Sequence, residues 1–201
     1  MHKEVLTKKQ EALVPFLKNT FKDFGLVRGT AIALHLGHRQ SIDFDLFSNK
    51  EFDNSKVRRM ILKNNKKIEH IYIDQRDEYT VLIDDVKFTF LYYPFKIDFL
   101  KEEIKIPDLL TLAAMKTYAL GRRNKWKDYV DLYFILKDSY PLEDIIKRAE
   151  KIFKNEFNDK VFKTQLAYFE DIDYSEEVIF QEGFEVSQDI IKKELTRFSL
   201  S

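Results

Sequence analysis

Leu26-Val-Arg-Gly-Thr-Ala-Ile-Ala-Leu-His-Leu-Gly-His-Arg-Gln-Ser-Ile-Asp-Phe-Asp-Leu-Phe47 is the stretch on which the fold turns. The apolar run 24–27 predicts a short buried strand, broken by Gly29. Residues 30–36 predict a helix capped by Thr30 and ended by Gly37. Residues 42–47 alternate apolar and acidic, the pattern of a strand. Asp43 and Asp45 then share one face while Phe44 and Leu46 point into the core.

Outward from this block, residues 4–23 carry apolar side chains at helical spacing, with Pro15 predicting a kink or a split into two helices. Residues 54–64 also have helical character. Stretches 68–73, 79–83 and 86–92 have the two-residue period of strands, with Asp84-Asp85 as a tight turn between the last two. After Pro107 the texture changes to helices alone, at 108–120, 127–136, 142–153, 159–169 and 188–198. The expected class is α+β: a mixed sheet core over 1–105, then a helical region over 106–201 packed on it.

Composition narrows the chemistry. The 201 residues include no cysteine, which excludes disulfide frameworks, thiolate metal sites and cysteine nucleophiles. Lys+Arg and Asp+Glu both number 34, so a surface built wholesale for polyanions is disfavoured. No apolar signal core or bilayer-length run is present, which points to a cytoplasmic protein without a membrane partner. Two charge blocks stand out. Residues 116–127 hold five basic side chains and no acid, and 169–189 hold eight acidic ones and no base. They are two solvated faces, or one covers the other, or they form a basic mouth for phosphates beside an acidic docking surface.

Reactive groups must then be carboxylates, lysines or histidines. Two carboxylates on one strand face repel each other, and a hard cation such as Mg²⁺ (or Mn²⁺) is the usual remedy. The pattern Asp-x-Asp is weak by itself. It recurs at Asp171-Ile-Asp173, read here as surface. Context raises Asp43 and Asp45: a strand, then Gly29-Thr30 opening a helix, then the acidic strand. Glycine lets the backbone approach a phosphate, and a hydroxyl at a helix N-terminus adds a donor. A phosphate cradle beside a metal pair is what nucleotidyl transfer demands. The bland alternative is a capped helix beside an exposed acidic edge.

The opening block resembles that of the AbiEii/AbiGii-type nucleotidyltransferase toxins, which belong to the polymerase-β-like superfamily. Asp108-Leu-Leu-Thr-Leu-Ala-Ala-Met-Lys116 and Lys127-Asp-Tyr-Val-Asp-Leu-Tyr-Phe-Ile-Leu136 resemble two later blocks of the family in order and spacing. The resemblance implies a nucleotidyltransferase fold, NTP as substrate with Mg²⁺, an acceptor hydroxyl on RNA, tRNA or protein, and a separately encoded antitoxin. It assigns phosphate to Gly29 and Thr30, metal to Asp43 and Asp45, nucleotide phosphates to Lys116, and a catalytic role to Asp128. Arg39 either neutralises the acidic strand or contacts substrate.

Two positions depart from the family pattern. Arg28 replaces a glycine. The neighbouring strand offers Lys87 and Thr89 where a third carboxylate is usual, which makes Asp128 the expected substitute base. The alternative is a non-catalytic nucleotide- or protein-binding member of the fold. His35 and His38 are expected in different environments across Gly37, and Trp126 is read as helix packing.

Overall fold

The computed structural model describes residues 1–100, 104–120 and 122–200. Strands β1 (Gly25–Val27), β2 (Phe44–Ser48), β3 (His70–Asp74), β4 (Glu78–Ile83) and β5 (Val86–Tyr92) form one sheet in the order β1-β2-β5-β4-β3. The β2–β5 pair is parallel and the other pairs are antiparallel, so the sheet is mixed. Asp84 and Asp85 join β4 to β5 with φ of 50° and 60°, the left-handed pair that a two-residue hairpin needs. Helices α1 (Lys8–Thr20), α2 (Arg28–Leu36) and α3 (Asn54–Lys63) accompany the sheet. Helices α4 (Leu109–Ala119), α5 (Trp126–Asp138), α6 (Leu142–Phe153), α7 (Asp159–Leu166) and α8 (Gln188–Ser199) follow it. The fold is α+β: strands and helices mix up to Tyr92, and among the described residues the elements after it are helices.

One face of the sheet is apolar. Phe44, Leu46, Phe88 and Phe90 are fully buried there. Phe16 of α1 meets Phe88 with ring centroids 6.1 Å apart, and Phe21 meets Phe90 at 4.8 Å, both edge to face. The same buried core takes in Leu112 of α4, Leu132 of α5 and Leu195 of α8, so sheet and helices share one interior. Residues 101–103, in the region near 100–107 where the boundary is expected, lie outside the described residues.

Two local expectations need correction. Pro15 does not split the first helix: α1 runs through it, started by a capping box between Thr7 and Gln10. Thr30 does not cap α2. The helix begins at Arg28, with φ of 58°, and Val27 at its N-cap offers no side-chain bond. Thr30 instead sits in the first turn. Its hydroxyl donates to the carbonyl of Asp43 and meets the Ser41 hydroxyl at 2.8 Å. Gly37 ends α2 as expected, with φ of 71°.

Gly37→Ala should cost about 1–2 kcal/mol, because a Cβ disfavours left-handed backbone. Urea unfolding followed by far-UV circular dichroism measures it, and an unchanged midpoint would show that the turn relaxes.

Candidate nucleotide-transfer site

The polar face of the sheet opens into a cleft of about 440 Å³. Asp43 lies one residue before β2 and Asp45 within it, and both line the cleft with Lys87 and Thr89 of β5 and Glu78 and Thr80 of β4. Register explains the alignment: Asp45 is opposite Thr89, and Thr89 is opposite Thr80. The Thr80 and Thr89 hydroxyls are 3.3 Å apart. Each of the two aspartates holds a cation. Lys87 Nζ is 3.0 Å from Asp43, and Arg28 Nη1 is 3.1 Å from Asp45. Burial pushes the Asp43 carboxyl above the usual aspartate value, and Lys87 only partly offsets this. Arg28 stands in left-handed backbone, where glycine would be free of strain, and its side chain reaches across to Asp45.

Opposite the sheet lies a buried charge cluster. Asp131, on the inner face of α5, is fully buried. It accepts from Arg39 Nε at 2.7 Å and Nη2 at 2.9 Å, and from His38 Nε2 at 2.8 Å, and it pairs with Lys116 Nζ at 2.7 Å. Lys116 also donates to Asp128. Arg123 closes the cluster with Nε at 2.9 Å and Nη2 at 3.0 Å from the same Asp128 carboxylate. Burial opposes both carboxylate charges. Arg39 and Lys116 nevertheless hold Asp131 well below the usual range, and Lys116 and Arg123 hold Asp128 below it. Burial pushes the His38 imidazole below its usual pKa, against the pull of Asp131. Three permanent cations thus face two carboxylates, and Arg123 is the cation that reaches solvent, at 35% side-chain exposure.

This geometry relocates several predicted residues. Arg39 is 2% exposed, its Nη1 donates to the Gln40 carbonyl at 3.0 Å, and its remaining bonds go to Asp131. It neutralises a carboxylate, but on α5 and not on the acidic strand. Gly29 lies on the cleft wall, where a Cβ would stand 2.8 Å from Arg39 Nη2. The glycine therefore makes room for a buried, ion-paired guanidinium. Lys116 and Asp128 do line the cleft that holds Asp43 and Asp45. His35 and His38 are apart: His35 Nε2 meets the Pro107 carbonyl at 2.9 Å.

Asp131, Arg123, Glu78 and Glu176 were not singled out as site residues. Asp131 had a legible signal, being three residues after Asp128 on one helix. Glu176 had none. It comes from the acidic block, whose segment around 171–181 crosses the cleft rim. Asp173 pairs with Lys125 at 2.6 Å, and Glu176 reaches Lys125 at 3.2 Å and Lys127 at 3.4 Å. Backbone bonds from Gln40 N to the Ile179 carbonyl and from Gln181 N to the His38 carbonyl, at 2.8 and 3.1 Å, fasten the strap. Of the readings of the two charge blocks, the one in which acid covers base describes this rim.

The family model described as "Nucleotidyl transferase AbiEii toxin, Type IV TA system" matches residues 67–195. The chain belongs to the AbiEii nucleotidyltransferase toxin family. The match includes α4 and α5 with Lys116 and Asp128, and it begins after Asp43 and Asp45. An uncharacterised protein of Aquifex aeolicus (strain VF5), aq_aa25, is 33% identical over 159 residues, covering 74% of this chain and 75% of that protein. The crystal structure of JHP933 from Helicobacter pylori superposes with a TM-score of 0.57 at 20% identity, over 99% of this chain and 89% of that one. A second H. pylori crystal structure gives 0.55 at 18% identity, over 99% and 92%. At those identities the two structures establish a shared fold.

Two stability predictions of opposite sign follow from the carboxylates. Asp131→Asn leaves buried cations under-neutralised and should cost about 3–5 kcal/mol. Because the folded pKa of Asp131 and of Asp128 is depressed, their contribution is present above about pH 4 and lost as pH falls further. Denaturant midpoints between pH 3 and 7 should therefore fall on the acid side for the native chain, and less steeply for Asp131→Asn. Asp43 is raised, so its charged form is disfavoured by folding. Asp43→Asn should leave the pH 7 midpoint unchanged or higher, and a large drop would contradict this reading of its environment.

Proposed function

We propose that the chain transfers a nucleoside monophosphate from an NTP to an acceptor hydroxyl, on RNA such as tRNA or on protein, with release of pyrophosphate. The observation that carries the reading is one cleft in which two neighbouring carboxylates face a surplus of fixed cations. Arg123 and Lys116 suit the triphosphate, as does Arg28 at the start of α2, where backbone N–H groups and the helix dipole favour an anion. The acceptor oxygen attacks the α-phosphorus, the bond to the bridging oxygen of the β-phosphate breaks, and the hydroxyl proton leaves to water.

Asp43 and Asp45 offer hard oxygen donors suited to Mg²⁺ (or Mn²⁺). Among the described residues no group of three or more metal-binding side chains converges. Two protein carboxylates completed by substrate phosphates is a pattern that Mg²⁺ commonly adopts. The cationic neighbours Lys87 and Arg28 already mark both carboxylates as places where positive charge is favoured. When bound, the ion would neutralise phosphate charge and polarise the reacting centre.

The remaining predicted residues take supporting parts. Thr30 ties the α2 turn to the Asp43 backbone, holding cradle and carboxylates in register. Arg39 acts through Asp131. Asp128 serves as a positioning residue and not as the general base, because it accepts from Lys116 and Arg123 and its lowered pKa makes it a weak base. The family's toxin–antitoxin assignment supports a separately encoded protein partner and a cytoplasmic place of action. Among the described residues no helix is long and apolar enough to cross a membrane. The non-catalytic reading has its own support in Thr89, which bonds to Thr80 where a third carboxylate is usual.

Asp45→Asn should lower turnover by about 10²–10³-fold, with the fold intact by circular dichroism. In calorimetry, Mg²⁺ alone should bind weakly, while Mg²⁺ with a non-hydrolysable NTP should bind together, because the protein supplies too few ligands by itself. Turnover is read by mass spectrometry of RNA and protein after expression. Tight NTP binding with no modified acceptor would favour the binding module.

A further inference from the structure

A second cavity, of about 270 Å³, adjoins the cleft, and Arg28, Lys116 and Arg123 line both. It arises because one sheet face changes character along its length. From the residue before β2 onward the face reads Asp43, Asp45, Phe47, and along β5 and beyond it reads Lys87, Thr89, Leu91, Tyr93. Since β2 and β5 are parallel, both turn from charged to apolar in the same direction. Phe47 and Tyr93 stack with centroids 6.4 Å apart and planes 18° from parallel. On the helical side Tyr118 and Phe153 stack at 4.3 Å, Phe95 meets Phe153 edge-on at 4.9 Å, and the Arg122 guanidinium lies 3.7 Å over the Tyr118 ring.

Among the described residues, this cavity has aromatic walls, cations at its junction with the cleft and no carboxylate in its lining. A purely apolar ligand would make no use of the cations, and a bare polyphosphate would make no use of the rings. A flat heteroaromatic ring joined to a polyanion uses both, since bases stack on aromatic side chains whatever their identity. We infer that this cavity takes the nucleobase of the NTP, with the triphosphate passing Arg28, Lys116 and Arg123 into the Asp43–Asp45 cleft. The inference rests on the nucleotidyl-transfer reading and adds where the base goes and what holds it. Tyr93, 36% exposed, is an accessible wall residue, and Ala119 on α4 is a position from which a larger side chain would fill the space.

The experiment compares binding of each of the four NTPs, as non-hydrolysable analogues, with binding of inorganic tripolyphosphate, all with Mg²⁺. At least one NTP should bind the native chain roughly tenfold or more tighter than tripolyphosphate. Tyr93→Ala and Ala119→Phe should each remove most of that difference while tripolyphosphate affinity stays the same. Tyr93 is exposed enough that its loss leaves the fold standing, which circular dichroism checks. If tripolyphosphate binds the native chain as tightly as every NTP, the base site is wrong and the phosphate cleft survives. If both variants keep the full difference, the base lies elsewhere and the inference is overturned. If neither ligand binds the native chain, the inference falls together with the nucleotidyl-transfer reading.

Discussion

A single buried carboxylate, Asp131, ties the two parts of the molecule together. It accepts from the adjoining His38 and Arg39, which follow α2, and pairs with Lys116 on α4, while its own helix is α5. Every partner is buried, so none can exchange its bond for water. A buried ion cluster of this kind is weak evidence for net stability, since desolvation offsets much of the attraction. Its effect is geometric. The forked guanidinium accepts only one orientation of the carboxylate, and that orientation sets α4 and α5 against the segment leading into β2. The cleft is the space this docking leaves between the sheet and the helices.

The charges around the cleft sort by exposure. Pairs inside the Asp131–Lys116–Asp128 cluster are almost fully enclosed and stay in place, so an incoming anion would meet this cluster only at its edge, where Lys116 and Arg123 line the cleft. Pairs on the sheet and rim are partly wet: Arg28 with Asp45, Lys87 with Asp43, and Lys125 and Lys127 with Glu176. Exposed pairs are worth about 0–1 kcal/mol each. A triphosphate carrying several charges could trade places with such partners at small cost. The same protein thus keeps fixed cations beneath the site and exchangeable ones around it, and the acidic strap leaves one of its carboxylates on two lysines of the rim.

Local pattern made much of the fold legible. Alternation identified β2, β4 and β5 to within two residues, and the Asp84-Asp85 turn followed from residue type alone. Helical period identified the five helices after Pro107. In these segments burial follows a short repeat, and the repeat is written in consecutive residues. Thr30 failed as a cap for the converse reason. Its hydroxyl had a better partner in the Asp43 carbonyl, thirteen residues away, and nothing in the neighbouring sequence records that choice. Arg39 is a similar case: the expected partner was the adjacent acidic strand, and the actual one is 92 residues distant.

The sequence by itself determined the element types, the mixed sheet followed by helices, and the residue kinds from which a phosphate- and metal-directed site can be built. Asp43 and Asp45 share a face because a strand has a period of two, and Lys116 and Asp128 stand out because their blocks resemble those of a known family. Tertiary structure decided what each side chain does. It turned Arg39 and Thr30 inward, gave Asp128 two cationic partners and brought Glu176 from a distant acidic stretch onto the basic rim. It also extended the charged strand face into an aromatic cavity. The physical reason is that partner choice for a charged or hydroxyl group depends on which groups are desolvated together. That is a property of the packed chain and not of any segment within it.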